Sequence, residues 1–205
     1  MKRIFDLIIS FLSLIILLPI FLIIAILIKL DGQGSVIFKQ IRVGKNNKEF
    51  KIYKFRSMKE EAPEIASNEL DNPDAYITSI GKILRKTSFD ELPQLINVLK
   101  GDMSLVGPRP VINDISEETL LNKRTELGIS KLLPGLTGWA QVNGRDNMSI
   151  ERKICLEKEY LEKQSFFFDI KILFITAIKV FKQEGIAKEE KKFLREYEEP
   201  YKDVM

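Results

Sequence analysis

The chain is organised around one short acidic stretch, Ser88-Phe89-Asp90-Glu91-Leu92-Pro93-Gln94. Three basic residues precede it, Lys82, Arg85 and Lys86, and an arginine between two prolines follows it in Gly107-Pro108-Arg109-Pro110. Adjacent carboxylates among fixed cations suit phosphate chemistry that is assisted by a divalent metal such as Mg²⁺. This pattern makes the stretch the first candidate for an active site.

The composition narrows the chemistry that such a site can use. The chain has 205 residues, enough for one domain with a sizeable core and an appendage. Its 32 Lys and Arg against 29 Asp and Glu give a net charge of +3, which does not indicate a nucleic-acid partner. The absence of histidine removes the usual general base, and the single Cys155 excludes an intramolecular disulfide and thiolate metal clusters. An enzyme of this composition would depend on carboxylates, lysine, arginine and a hard metal ion.

The two carboxylates also have a purely structural explanation. With Asp90 as N-cap, Pro93 occupies the third helical position, where its missing N–H costs nothing, and Gly101 ends the helix. With Ser88 as N-cap, Ser88 and Glu91 would form a capping box, but Pro93 would then lie beyond the first turn. We therefore predict a helix that begins at Asp90. As caps, the carboxylates would contribute about 0.5–2 kcal/mol to stability.

The N-terminus predicts a membrane anchor. An almost wholly apolar run of about 22 residues, Leu7 to Ile28, is long enough to cross a bilayer. Pro19 interrupts it, so it is either a kinked spanning helix or a re-entrant helix–break–helix that enters and leaves on one face. Basic residues flank both ends, with Lys2 and Arg3 before the run and Lys29 after it, so the charges show no asymmetry. Hydropathy alone favours the spanning helix.

Two later stretches carry further candidate contacts. Alternating side chains on both sides of Lys45–Lys48 predict a β-hairpin with a basic face. The stretch from Leu133 crowds glycines, the only tryptophan, two amides and an arginine into a predicted loop. Amides suit a nucleobase edge and arginine suits a phosphate, although a buried tryptophan that stabilises a turn is the alternative. The candidate side chains of this loop are Gln141, Asn143 and Arg145.

The fold class that these patterns predict is α+β and mainly α. We expect three segments: a membrane anchor over residues 1–30, a catalytic domain over 31–185, and a charged tail over 186–205. Within the catalytic domain, Phe166 to Phe181 is apolar and aromatic but too interrupted to span a bilayer. It is therefore either a core helix or an amphipathic helix that lies in the membrane interface.

Taken together, these stretches resemble the bacterial sugar transferase family, also called the monotopic phosphoglycosyl transferases. The likeness runs from about Lys2 to Gly185. It is carried by Phe38–Gly44, Tyr53–Met58, Ser88–Gln94, Asn97–Pro110 and Pro134–Arg145. With no large N-terminal membrane domain, the chain is expected to be the small form of the family. The resemblance reverses the preference for a spanning helix, because it implies a re-entrant anchor with Pro19 at the break and with Lys2 and Arg3 at the lipid headgroups. It also implies amphipathic interfacial helices around a cytosolic catalytic core.

The resemblance further implies a Mg²⁺-dependent enzyme of the bacterial inner membrane with its catalytic domain on the cytoplasmic face. It would transfer a sugar 1-phosphate from a UDP-sugar to polyprenol (undecaprenyl) phosphate and release UMP, the first membrane step of glycoconjugate assembly. By position, Asp90 is similar to the nucleophile that forms an aspartyl phosphosugar, and Glu91 to the metal ligand beside it, with both carboxylates at the metal. The family's phosphate and active-site contacts fall at Lys54, Arg85 and Arg109.

Other interpretations stay open at this point. Asp90 could act as a base in a direct, single-step transfer, or the chain could be a non-catalytic membrane scaffold. Glu157 stands where many members carry aspartate, which leaves the role of its carboxylate open. The expected partners are the UDP-sugar, the polyprenol phosphate, the phospholipid membrane and, in a homodimer, a second copy of the chain, with no nucleic acid.

Overall fold

The computed structural model of the chain describes residues 1–63, 75–144 and 148–182. These residues are mainly helical with short strands, which confirms the predicted α+β class at this level. The α-helices are α1 (Lys2–Asp31), α2 (Ser79–Thr87), α3 (Gln94–Lys100), α4 (Glu118–Glu126), α5 (Trp139–Asn143), α6 (Ile150–Lys163) and α7 (Phe166–Lys182). The strands are β1 (Ile37–Val43), β2 (Glu49–Phe55), β3 (Ser104–Val106) and β4 (Gly135–Thr137). The predicted tail, residues 186–205, lies outside the described residues.

The chain divides into two compact units. The first unit holds the described residues of Met1–Arg42 and Glu49–Met103, which include α1, α2 and α3. The second unit holds Val43–Lys48, the tip of the hairpin, and the described residues from Ser104 onward, which include α4 to α7 with β3 and β4. The segment boundaries expected at residues 30 and 185 remain predictions.

The N-terminal helix α1 is one continuous helix of 30 residues with Pro19 inside it. Among the described residues, it is the one helix long and apolar enough to cross a membrane, judged by length and composition alone. Most of its large apolar side chains are exposed, as a helix in contact with lipid requires. The prediction of a long apolar N-terminal helix is confirmed. The predicted break into two helices at Pro19 was wrong, because the helix continues through this residue. The course of the helix through a membrane remains a prediction.

The apolar core of the first unit joins α1 to the hairpin and to α2. Ile24 and Ile28 pack with Phe55 of β2 and Leu84 of α2, and these four residues are at most 7% exposed. Phe21 adds an edge-to-face contact with Phe55, with the ring centroids 5.1 Å apart. Burying each such side chain stabilises the fold by about 1.5–3 kcal/mol. The C-terminal half of α1 is therefore part of the folded core.

The predicted β-hairpin is confirmed. The strands β1 and β2 form a two-stranded sheet, and a 3₁₀ turn, Lys45–Asn47, joins them. Asn46 and Asn47 adopt left-handed backbone conformations with φ of 55° and 58°. Asparagine tolerates this region better than most residues, so the turn has side chains that suit its geometry.

Two short parallel strands lie at the centre of the second unit. The pairing of β3 with β4 has the register Ser104–Gly135 and Val106–Thr137. The two backbones approach closely at Gly135, where a Cβ would lie 2.1 Å from the Gly107 nitrogen. The prediction of a loop from Leu133 to Arg145 was therefore wrong over β4 and α5, and Gly135 makes room for neighbouring backbone. One buried apolar cluster of this unit is formed by Val43, Val111, Leu120, Ile129 and Ile154.

Candidate active site

The acidic pair, Asp90 and Glu91, lies in a 3₁₀ turn and not in an α-helix. We call this turn, Phe89–Glu91, the acidic turn. Ser88 ends α2 in a left-handed conformation with φ of 59°, and the next α-helix, α3, begins only at Gln94. The predicted helix start at Asp90 was therefore wrong. The alternative capping box was wrong as well, because Ser88 is left-handed and its side chain makes no capping hydrogen bond to this turn.

Pro93 explains why the turn is tight. It has no N–H, so it cannot donate the bond that would continue an α-helix through this point. The turn is closed instead by short-range bonds, from the Glu91 nitrogen to the Ser88 carbonyl at 3.3 Å and from the Leu92 nitrogen to the Phe89 carbonyl at 3.2 Å. Neither carboxylate of the acidic turn occupies an N-cap position, so the capping explanation for the pair does not hold.

Lys54 of β2 forms an ion pair with Glu91, with 2.8 Å between Nζ and Oε1. The two side chains are only 19% and 18% exposed, so the pair is largely shielded from water. Shielding from solvent strengthens the attraction relative to that of a surface ion pair. The fold thus brings together two of the predicted site residues that lie 37 positions apart in the chain.

Arg85 is held on α2 by the segment that follows β2. It is half-buried and donates from Nε to the Ser57 hydroxyl at 3.0 Å. The helix packs directly on this segment, since a Cβ on Gly81 would lie 2.0 Å from the Ser57 carbonyl oxygen. The strand β2 and its continuation therefore contact both α2 and the acidic turn, through Ser57 and Lys54 respectively.

Asn97 is a positioning residue that the sequence analysis missed. Its fully buried side chain donates to the Lys51 carbonyl at 2.7 Å and accepts from the Tyr53 nitrogen at 3.0 Å. These bonds fix α3 to the strand that carries the lysine of the ion pair. The signal was an amide within the apolar run from Leu95 to Leu99, because a buried polar side chain requires partners of its own.

The N-terminus of α1 contacts the C-terminus of α3. The Arg3 guanidinium donates to the Val98 carbonyl at 2.7 Å and to the Leu99 carbonyl at 3.2 Å. The helix α3 ends at Gly101, whose φ of 95° confirms the predicted glycine stop. Arg3 thus donates to carbonyls of the last turn, where the Val98 carbonyl also accepts from the Gly101 nitrogen at 3.2 Å and where a cation is favoured by the helix dipole. Contacts of Lys2 and Arg3 with lipid headgroups remain a prediction.

In the second unit, β3 leads directly into Gly107-Pro108-Arg109-Pro110. Both prolines are buried, and Arg109 between them is half-buried. The Pro108 carbonyl accepts from the Gly135 nitrogen at 2.8 Å, and the Arg109 carbonyl accepts from Nη2 of Arg124 at 3.0 Å. Hydrogen bonds therefore reinforce the restriction that the flanking prolines impose on this backbone.

Glu157 and Arg124 form a buried ion pair with two hydrogen bonds. Glu157 of α6 is 2% exposed and Arg124 of α4 is 6% exposed. Arg124 donates from Nε to Oε2 at 2.7 Å and from Nη2 to Oε1 at 2.5 Å. This is the two-point geometry that arginine and carboxylate prefer. The sequence analysis left the role of Glu157 open and did not identify Arg124.

Lys153 of α6 is a further cation in the surroundings of this ion pair. Burial lowers the pKa of Lys153, and the positive charge of Arg124 lowers it further. The carboxylates of Glu117 and Glu157 act in the opposite direction, and Arg109 again lowers the pKa. Two other cations and two carboxylates thus influence the pKa of Lys153.

The candidate residues around α5 differ in their surroundings. Asn143 donates from Nδ2 to the Trp139 carbonyl at 2.8 Å, so its amide supports the helix itself. Both polar atoms of the Gln141 amide are buried, and neither has a hydrogen-bond partner among the described residues. Leaving such a group without a partner is costly, so Gln141 stays a candidate for contact with a ligand. Arg145 lies outside the described residues.

Trp139 makes structural contacts, although it is half-buried and lies in α5 and is not the buried tryptophan of a turn that the alternative interpretation proposed. Its Nε1 donates to Oε2 of Glu159 at 2.7 Å, and its ring packs on Phe168 with 5.0 Å between centroids. The side chain therefore fixes α5 to α6 and α7 within the second unit.

The acidic turn has a donor set that fits Mg²⁺. Among the described residues, no three or more His, Cys, Asp or Glu side chains gather as a complete metal cage. Mg²⁺ is usually held by one or two carboxylates together with substrate phosphates and water. Asp90 and Glu91 supply two such carboxylates, and the ion pair with Lys54 engages one oxygen of Glu91. The pair is therefore suited to a magnesium ion that binds together with a phosphate substrate.

Comparison with known proteins assigns the family. The model of the bacterial sugar transferase family matches residues 1–183, so the chain belongs to this family. The uncharacterized sugar transferase EpsL of Bacillus subtilis is 42% identical over 186 residues, which cover 91% of this chain and 90% of EpsL. The UDP-glucose:undecaprenyl-phosphate glucose-1-phosphate transferase of Escherichia coli is 40% identical over 186 residues, or 88% of this chain. The undecaprenyl-phosphate glucose phosphotransferase of Komagataeibacter xylinus is 41% identical over 193 residues, or 85% of this chain.

These relatives differ in length from the chain. The match covers 40% of the Escherichia coli relative and 35% of the Komagataeibacter xylinus relative, whereas it covers nearly all of EpsL. The resemblance found in the sequence is confirmed at the level of the family.

Proposed function

We propose that the protein is a phosphoglycosyl transferase that moves a sugar 1-phosphate from a UDP-sugar to polyprenol phosphate and releases UMP. The observation that carries this proposal is the shielded ion pair of Lys54 with Glu91 beside Asp90, in a chain without histidine. The names of two relatives support the substrate class, since both act on undecaprenyl phosphate and glucose. Undecaprenyl phosphate is thus the proposed acceptor, and UDP-glucose is the first donor to test.

Asp90 is the proposed nucleophile. One of its carboxylate oxygens attacks the phosphorus that bears the sugar, and the bond from this phosphorus to the oxygen bridging the two phosphates breaks. UMP leaves with that electron pair, and an aspartyl phosphosugar remains. A phosphate oxygen of the polyprenol phosphate then attacks the same phosphorus and releases the carboxylate. Both attacking groups are anionic oxygens, so neither step requires a histidine base.

The remaining residues of the proposed site bind the substrate or hold Glu91 in position. Lys54 holds Glu91 in place, and Arg85 and Arg109 bind substrate phosphates, for which a planar guanidinium is well suited. When bound, Mg²⁺ held by Asp90 and Glu91 would neutralise negative charge on the diphosphate. The buried amide of Gln141 is proposed to hydrogen-bond to a polar edge of the substrate.

The test of the mechanism is an incubation of the enzyme with labelled UDP-glucose in the absence of lipid. A covalent route predicts a burst of about one equivalent of UMP and a labelled protein, because the first half-reaction needs no acceptor. If Asp90 were instead a base in a single-step transfer, UMP would appear only after undecaprenyl phosphate is added. Full turnover by Asp90→Asn would exclude both routes through this carboxylate.

We also propose that α1 is re-entrant, with both ends on the cytoplasmic face of the inner membrane. Arg3 at its start bonds to α3, and Asp31 at its end accepts from the Ile80 nitrogen of α2 at 2.8 Å. Both partners belong to the first unit. A spanning helix would place its two ends on opposite sides of a hydrocarbon layer of about 30 Å, so attachment of both ends to one folded unit supports the re-entrant course.

This topology can be tested in a Cys155→Ser background with a new cysteine in place of Lys2. The re-entrant course predicts no reaction of intact cells with an impermeant maleimide and full reaction after lysis. Labelling of intact cells from the periplasmic side would show that the helix spans the membrane. Crosslinking the same cysteine variant after lysis would test for a homodimer.

A further inference from the structure

We propose that Glu157 and Arg124 are positioning residues that hold the backbone of Arg109 in the conformation required for phosphate binding. The inference rests on the proposed function, in which Arg109 contacts a substrate phosphate. It assigns a role to a buried carboxylate and a buried guanidinium that the reaction scheme does not use. All three residues lie in the second unit.

The guanidinium of Arg124 links the Glu157 carboxylate to the Arg109 carbonyl. Glu157 fixes Arg124 at two nitrogens, Nε and Nη2, at 2.7 and 2.5 Å. The same Nη2 donates to the Arg109 carbonyl at 3.0 Å. Because a guanidinium is planar and rigid, fixing two of its nitrogens also fixes the direction in which Nη2 approaches that carbonyl.

The remaining backbone bonds show that Arg109 lies in the middle of a segment held on both sides. The Gly107 nitrogen donates to the Thr137 carbonyl at 2.9 Å, and the Val111 carbonyl accepts from the Val43 nitrogen at 2.8 Å. The bond from Arg124 restrains the carbonyl of Arg109 itself. Holding this peptide group fixes the direction of the Arg109 side chain, and a displacement of about 1 Å at such a group can reduce turnover roughly 100-fold.

The burial of the ion pair indicates that it fixes the position of its neighbours more than it adds to the stability of the fold. Two charges at 2% and 6% exposure have lost most of their hydration, and an apolar pair of similar volume often stabilises a core equally well. An apolar pair, however, cannot donate a hydrogen bond to the Arg109 carbonyl. The hydrogen bond to the Arg109 carbonyl is therefore the contact that an apolar pair could not replace.

The test compares the full-length double variant Arg124→Met/Glu157→Met with Glu159→Gln. The double variant removes the ion pair without leaving an unpaired buried charge, so it is expected to fold where Glu157→Gln alone could fail. Glu159 lies on the same helix and is 5% exposed, but it bonds to Trp139 and Lys163 and not to Arg109. Glu159→Gln therefore controls for the loss of a buried carboxylate from α6.

The first measurement is amide hydrogen exchange, which does not depend on catalysis. We expect exchange at Gly107 and Gly135 to be at least about fivefold faster in the double variant and unchanged in Glu159→Gln. Unchanged exchange in the double variant would overturn the inference. If the wild-type protein released no UMP with any UDP-sugar, the proposed function would fail, and exchange alone would still decide whether the ion pair holds this segment.

The second measurement is a kinetic cycle with Arg109→Ala. In the wild-type background, we expect the double variant to lower kcat roughly 10- to 100-fold with KM within about threefold, because a misdirected guanidinium still attracts the diphosphate. In the Arg109→Ala background, the same two substitutions should cost less than about twofold. A merely structural ion pair would give an equal loss in both backgrounds, and either that result or wild-type kcat in the double variant would overturn the inference.

Discussion

Lys54 fixes one of the two carboxylates of the acidic turn, that of Glu91. The Nζ of Lys54 lies 2.8 Å from Oε1 of Glu91. Carboxylates that bind a metal are commonly held in place by such a neighbouring hydrogen bond. A nucleophile, in contrast, must approach phosphorus and leave it again. The ion pair therefore agrees with the proposed role of Glu91 as a ligand, while Asp90 is the proposed attacking group.

Asp90→Asn should abolish this attack, because an amide oxygen is a poor nucleophile at phosphorus. We expect kcat for UMP release to fall at least about 100-fold while the melting temperature changes little. Asp114→Asn is the matched control, since Asp114 accepts from the Ser116 nitrogen at a 3₁₀ turn and asparagine caps equally well. Near-normal turnover by Asp90→Asn would place the nucleophile elsewhere.

Lys153 allows a prediction about pH. Its pKa is lowered in the folded chain, chiefly by burial, so the folded state binds the proton less tightly than the unfolded state does. The destabilisation is complete below the folded pKa, decreases as the pH rises above it, and disappears above the usual lysine value of about 10.4. Lys153→Met should therefore raise the melting temperature at pH 7 and give a smaller gain towards pH 10.

Thermal unfolding at several pH values would measure this trend. Lys158→Met, on the same helix, controls for the removal of a lysine as such. A gain from Lys153→Met that stays constant from pH 7 to pH 10 would contradict the assignment of the effect to the charge of Lys153.

At the scale of elements, α3 is the helix on which the first unit depends. Asn97 ties its middle to β2, and Arg3 donates to carbonyls at its end. The acidic turn immediately precedes it in the chain. A shift of α3 would therefore displace both the turn and the strand that carries Lys54, although neither anchoring residue belongs to the proposed chemistry.

Arg3→Ala should destabilise the first unit by about 1.5–3 kcal/mol, because it removes charged hydrogen bonds to the Val98 and Leu99 carbonyls. Lys29→Ala removes an exposed cation from the other end of the same helix and leaves those bonds in place. Denaturant unfolding in micelles would compare the two variants, and membrane flotation would compare their lipid binding. Equal stability of the two variants, with equal loss of lipid binding, would favour the headgroup interpretation of Arg3.

Elements defined by local patterns could be predicted from the sequence. The apolar run of α1, the hairpin around Lys45–Lys48 and the stop at Gly101 all follow from neighbouring residues. The helix start at Asp90 could not, because Ser88 adopts a left-handed conformation that serine rarely takes and that no neighbouring residue predicts. The strand β4 was missed because it is three residues long and has no periodic pattern of its own. It forms by pairing with β3, which lies about 30 positions earlier.

At the scale of the whole molecule, the difference between local sequence patterns and contacts that are distant in the chain also separates the candidate reactive residues from the residues that hold them in place. Residue type and the family resemblance were sufficient to select Asp90, Glu91 and Lys54, because charge and order in the chain are visible in the sequence. The pairing of Arg124 with Glu157 joins positions 33 apart, and that of Arg3 with Val98 joins positions 95 apart. Such contacts depend on tertiary packing, which composition and periodicity do not encode locally.

Deleting residues 1–30 should unfold the first unit as well as detach it from the membrane. The deletion removes Ile24 and Ile28 from the core, and the loss of each buried isoleucine costs about 2–5 kcal/mol. The sum is comparable with the total stability of a typical domain, about 5–15 kcal/mol. Circular dichroism and limited proteolysis of the truncated protein would test this, with Ile16→Ser/Leu30→Ser, two highly exposed positions of α1, as the full-length control. A truncated protein with a cooperative unfolding transition would show that the helix is only an anchor.

The contacts of Arg3 also set the order in which the first unit can be completed on the ribosome. Its carbonyl partners lie 95, 96 and 100 residues later, at Val98, Leu99 and Met103. The apolar helix is synthesised first, yet the helix that secures its N-terminus does not exist until Met103 has been translated. Throughout that interval the nascent helix must be shielded by lipid or by a chaperone, since exposed apolar segments aggregate. The first residues to be made are therefore among the last of their unit to be fixed in place.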